Sequence, residues 1–170
     1  MELGALAWLI LAPALGALAL SAFPAAAKAA QRGTATAISL VPLAIALWLW
    51  TRFDTSATAF QFVERASWIP RFGSSWYLGI DGISLPLIAL TVFVVPLVIV
   101  YSWDHFPEPH NPKAFLILIL ILETGMIGSF VAQDLLLFFV FFEFVLLPMY
   151  FMIGVYGGEQ RKYASLKFFL

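Results

Sequence analysis

The chain has 170 residues, 62% of them hydrophobic and 11% charged, with a formal net charge of −1 and no cysteine. A soluble domain of this size has too little interior to hide that much apolar surface, so the composition points to an all-α polytopic membrane protein. The charge balance argues against nucleic acid as a partner, and without cysteine there is no disulfide, Cys-ligated zinc or iron–sulfur cluster.

A spanning helix needs about 20 mainly apolar residues. Five segments meet that length: about Leu3 to Phe23, Thr34 to Thr51, Ile83 to Trp103, Ala114 to Ala132, and Leu135 to Tyr156. A sixth begins near Ala164 and stops at Leu170 inside an apolar run, which points to the N-terminal part of a longer chain, with 1–170 as one membrane domain. The first segment is read as a retained helix and not a cleaved signal. Ala25-Ala26-Ala27 could serve as a cleavage site, but Met1-Glu2 supplies no basic n-region and the apolar stretch exceeds about 15 residues.

Lys28, Arg32, Lys113, Arg161, Lys162 and Lys167 fall in or beside alternate loops on one side, against Arg52, Arg65 and Arg71 on the other. That six-to-three excess predicts a cytoplasmic location for the basic loops and an N-terminus outside. Trp48, Trp50, Trp68, Trp76, Tyr77, Tyr101, Trp103 and Tyr156 fall near predicted helix ends, as amphipathic rings at headgroup level do. The Arg52–Gly82 loop is long. Its alternation at Phe60–Arg65, with Ser75–Leu78 as a pairing segment and Pro70–Ser74 between, predicts a small extracytoplasmic β-hairpin.

Two acids lie within the spans. Glu143 falls near the middle of Leu135–Phe151, an otherwise apolar run, where a carboxylate costs roughly 2.5 kcal/mol or more. Such residues mark proton or ion pathways, or pair with a buried charge, and no Lys or Arg lies within any complete span. Glu123 is the second candidate for proton transfer; Thr124-Gly125 beside it also fits close helix packing. The Gln133-Asp134 turn separates the two acids by ten residues on either side of Gln133. Both carboxyls therefore lie at similar depth, about 15 Å from the turn at 1.5 Å per residue, with rotation about each helix left open. Pro148 removes the usual partner of the Phe144 carbonyl beside Glu143, and Asp134 suits the N-cap of the fifth helix. Asp104–His110 holds two histidines and two acids, yet Pro107 and Pro109 stiffen it and nothing in the spacing sets a coordination geometry. It is read as a solvated loop, with no metal.

The run Asp134 to Phe169, with Glu143, Pro148, Gly154, Gly157-Gly158-Glu159, Arg161, Tyr163 and Lys167, resembles the antiporter-like membrane subunits of respiratory complex I, in particular the chain M or subunit 4 type. Trp68-Ile69-Pro70, Tyr77-Leu78-Gly79-Ile80-Asp81-Gly82-Ile83-Ser84 and Glu123-Thr124-Gly125-Met126-Ile127-Gly128 carry the resemblance upstream; Gln160 departs where a second basic residue is common. The resemblance implies a fourteen-helix, proton-translocating subunit in a bacterial plasma membrane. It implies no redox cofactor in this chain, other complex I membrane subunits and the lipid bilayer as partners, and a lysine beyond residue 170 as partner of Glu143. A subunit of a multi-subunit Na+/H+ antiporter or membrane-bound hydrogenase shares this core and stands as the alternative. A non-transporting membrane scaffold is a third reading, but it leaves Glu143, Pro148 and Glu123 together unexplained.

Overall fold

The computed structural model describes residues 4–105 and 111–170. Glu2 and most of the Asp104–His110 loop, including His110, lie outside the described residues. The chain is mostly helical: α1 (Ala5–Ser21), α2 (Lys28–Arg52), α3 (Ser84–Tyr101), α4 (Pro112–Val131), α5 (Leu135–Tyr156) and α6 (Arg161–Phe169), with strands β1 (Gln61–Ile69) and β2 (Ser74–Ile80) between α2 and α3. Among the described residues four helices, α2 to α5, are long and apolar enough to cross a membrane, whereas α1 is an apolar helix of 17 residues. This makes the chain an integral membrane protein.

Local chemistry explains most boundaries. α4 starts where Asn111 accepts a hydrogen bond from the Lys113 N–H at 2.8 Å and Pro112 supplies the fixed φ of a first helical residue. α2 starts six residues earlier than its hydropathy predicts, at Lys28. The stretch from Lys28 to Arg32 is rich in helix formers, and Gln31 turns inward to donate from Nε2 to the Pro24 carbonyl at 2.7 Å. Hydropathy misses that turn because it is polar. α6 likewise begins at Arg161, where Arg161 Nη1 donates to the Val155 carbonyl of α5 at 2.9 Å.

α4 packs against α1, α2, α3 and α5, and α6 packs on α5. One apolar cluster, including Leu6, Ile10, Leu49, Leu78, Ile88 and Ile127, fills the end of the bundle nearest the hairpin. A second, including Leu20, Ala35, Ile99, Leu116 and Leu120, fills the opposite end. At that opposite end Lys113 Nζ donates to the Ser21 and Phe23 carbonyls at 2.6 and 2.7 Å, and Asn111 Nδ2 donates to Ala25 O at 3.2 Å. These bonds serve carbonyls that the end of α1 leaves without helical partners.

The two strands pair antiparallel, with Arg65 opposite Tyr77 and Ala66 opposite Trp76. The turn is a short 3-10 segment, Pro70–Phe72, closed by Gly73 at φ +66° with its N–H on Pro70 O. A left-handed φ is the natural role of glycine there. Irregular register between Gln61 and Glu64 places Phe62 at φ +53°. That bulge turns Phe62 toward Trp48 of α2, ring centroids 6.0 Å apart.

Candidate functional site

The site is built on the α4–α5 hairpin. Asp134 caps α5: its Oδ1 accepts from the Leu136 and Leu137 N–H groups at 3.0 and 3.1 Å. The same carboxylate reaches the β-hairpin. Ser74 Oγ donates to Oδ1 at 2.9 Å and the Ser75 N–H to Oδ2 at 3.0 Å. These donors, led by the Ser75 N–H and the Leu137 N–H, hold the Asp134 carboxyl below its ordinary pKa. Gln133 completes the joint, its N–H on Tyr77 O at 2.8 Å and its Nε2 on Gly79 O at 3.1 Å. Ser74, Ser75 and Gln133 escape a sequence reading, because their partners lie more than 50 residues away.

Glu123 is fully buried on α4, and neither carboxyl oxygen has a hydrogen-bond partner among the described residues. Buried polar atoms are nearly always partnered, so an orphaned carboxyl at this depth in the bundle stands out. Its neighbours in sequence make the tight α4–α5 contact. A Cβ on Gly125 would stand 2.9 Å from the Phe144 carbonyl carbon and from the Val145 nitrogen, and the Phe141 ring covers Gly128. Both features of this segment, the inward carboxyl and the small-residue contact, are therefore present at once.

That contact puts Gly125 level with Phe144–Val145, so Glu123 and Glu143 lie within about one helical turn, some 5 Å, of the same depth. Rotation separates them. The buried residues of α5 are Leu137, Phe141 and Pro148. At about 100° per residue, Glu143 lies roughly 200° round the helix from Phe141 and roughly 140° from Pro148. It is half-buried, it stands away from the α4 contact, and among the described residues it makes no hydrogen bond or ion pair. α5 runs unbroken through Pro148, which is buried. Among the described residues no group of three or more His, Asp or Glu side chains is placed to hold a metal.

Residues 34–129, more than half of the chain, match the family model described as NADH-ubiquinone oxidoreductase chain 4, amino terminus. The chain belongs to the NADH-ubiquinone oxidoreductase chain 4 family. Residues 132–170 match a second model, described as the membrane part of NADH:quinone oxidoreductase and Mrp antiporter subunits. The chain is 43% identical over 166 residues to NADH-ubiquinone oxidoreductase chain 4 of Arabidopsis thaliana, covering 97% of this chain and 33% of that one. It is 42% identical over 132 residues to F(420)H(2) dehydrogenase subunit M of Methanosarcina mazei, covering 78% and 26%. A chain of respiratory complex I from Thermus thermophilus, solved with bound NADH, superposes with a TM-score of 0.77 at 28% identity, covering 94% of this chain and 31% of that one. The chain thus spans a third or less of the length of these relatives. In this chain 4 family member Glu123 lies within the first matched region and Glu143 within the second.

Proposed function

We propose that this chain is the N-terminal part of a proton-translocating membrane subunit of an NADH:quinone oxidoreductase-type complex, with Glu143 as its proton-handling group. The observation that carries the reading is the placement of Glu143: mid-helix in an apolar span and turned away from the α4 contact. An intramembrane carboxyl so placed faces a partner or a water path supplied from outside the α4–α5 pair. Glu123, buried about one turn away in depth and without a hydrogen-bond partner among the described residues, is the second proton-transfer candidate and lies on the inner side of the same hairpin. Pro148 and Asp134 act structurally, one within α5 and one at its start.

The rest of the reading follows from the family and the loop charges. α1 joins the four longer helices as a fifth span, the N-terminus and β-hairpin lie outside a bacterial plasma membrane, and α6 opens a sixth span. The partners are neighbouring antiporter-like membrane subunits and the bilayer. Electrons reach quinone in other subunits, and this chain holds no redox group of its own. The second matched region also supports the alternative, a multi-subunit Na+/H+ antiporter.

The test is Glu143→Gln in the full-length subunit within its assembled complex. The swap keeps shape and removes the titratable proton. Proton pumping coupled to quinone reduction should fall by about 10²-fold or more, the scale of a lost acid–base group. Near-normal pumping by an assembled Glu143→Gln complex would leave Glu143 as a structural charge.

A further inference from the structure

We propose that Asp134 is a positioning residue for Glu143, and that the β-hairpin is the brace through which it acts. This rests on the proposed role of Glu143. Lipid tails are as apolar as the side chains they touch, so lipid itself does little to fix the rotation of a transmembrane helix, and protein contacts must do so. α5 is so held at its first turn. The Asp134 carboxylate accepts four donors, two from α5 itself and two from β2. Charge-assisted bonds to backbone N–H groups are the strong members of their class.

The brace is anchored on two further sides. Leu78 of β2, fully buried, pairs with Ala132 ahead of the turn, and Trp76 packs edge-on against Phe141 with ring centroids 6.1 Å apart. Phe141 is two residues before Glu143. On the other strand, Glu64 accepts from the Leu6 and Ala7 N–H groups at the start of α1, the shortest bond being 2.7 Å. The hairpin therefore clips the start of α1 to the start of α5. Cutting the clip frees α5 to shift, and a misplacement of about 1 Å at a proton-transfer group costs up to ~10²-fold in rate.

Asp134→Asn separates the two functions of the carboxylate. The amide oxygen still caps α5, but the NH2 that replaces Oδ2 cannot accept from the Ser75 N–H. The experiment uses the assembled complex and two readouts: the pH profile of quinone-coupled proton pumping, and the infrared carboxyl band assigned to Glu143 by its loss in Glu143→Gln. Asp134→Asn should lower pumping on the order of tenfold, displace the pH profile and shift the band. Hydrogen exchange at Leu136 and Leu137 should stay slow, showing that the cap survives. An unmoved band and an unmoved profile in an assembled Asp134→Asn complex overturn the proposal. If Asp134→Asn does not assemble, Ser74→Ala, which removes only the hydroxyl donor to Oδ1, decides: it must shift the band, and an unmoved band overturns the proposal. Failure of the Glu143 reading is distinct. In that case Glu143→Gln pumps normally, whereas the band shift on cutting the brace still reports positioning.

Discussion

Gly128 of α4 lies beneath the ring of Phe141 on α5, in the space where a methyl group would stand. Phe141 is 8% exposed, and Trp76 packs edge-on against it. One turn deeper, Gly125 meets the backbone at Phe144–Val145. These two glycines set the distance between the helix that carries Glu123 and the helix that carries Glu143.

Gly125→Ala and Gly128→Ala should each destabilise the α4–α5 hairpin by about 1–3 kcal/mol, the usual range for overpacking. Gly125→Ala should be the worse of the two, because its neighbour is backbone and not a ring that can tilt. Gly33→Ala in α2 is the control. Nothing lies within 4 Å of a Cβ there, so it should be neutral or slightly stabilising. Thermal unfolding of the purified complex, read as loss of this subunit, measures all three.

The Glu64 carboxylate caps α1 from 58 residues away, and a side chain at Gly4 would collide with it. Glu64→Gln should weaken that end of α1 by about 0.3–1 kcal/mol, since a neutral amide loses the attraction to the helix N-terminus. Gly4→Ala should displace the carboxylate and act in the same direction. Faster hydrogen exchange at Leu6 and Ala7 reports both, and unchanged exchange in Glu64→Gln would show that the cap contributes nothing.

Acid should loosen the hairpin–turn joint. Folding lowers the Asp134 pKa from its ordinary 3.8, chiefly through the Ser75 N–H. A carboxylate with a depressed folded pKa contributes stability that is present above its unfolded value and is lost as pH falls through the folded value. Asp81, which accepts from the Ser84 N–H at 2.7 Å at the start of α3, shifts the same way. The hairpin amides should therefore exchange at a constant stability above about pH 5 and lose protection progressively as pH falls below it. Asp134→Asn should flatten the part of that loss seen at Ser75.

The basic loops predict sidedness. A cysteine placed at position 160 should resist an impermeant thiol reagent applied to intact cells and react after permeabilisation. One placed at Phe72, on the hairpin tip and 74% exposed, should react from outside at once. Labelling in the reverse pattern would invert the topology.

The helices were legible from hydropathy alone because a bilayer imposes a length and an apolar composition on anything that crosses it. α5 matches its expected Leu135–Tyr156 bounds since Asp134 and Gly157 bracket an unbroken apolar run. Polar turns were harder. The first turn of α2 and the start of α6 are helical yet charged, and they are set by Gln31 on Pro24 and Arg161 on Val155. The hairpin's existence was readable in the alternation around Phe60–Arg65, but β1 runs on to Ile69 and bulges at Phe62.

Sequence by itself determined the apolar spans, the depth of Glu123 and Glu143 on either side of one turn, and their chemical type, because spacing along a helix converts directly into distance along its axis. Tertiary structure alone decided which way each acid faces. It buried Glu123 without a hydrogen-bond partner among the described residues, turned Glu143 off the α4 contact, and recruited Ser74, Ser75 and Glu64 to hold helix ends. The reason is geometric. Rotation about a helix axis depends on which neighbours press on it, here Phe141 over Gly128 and Val145 against Gly125, and no local pattern encodes contacts made across such distances.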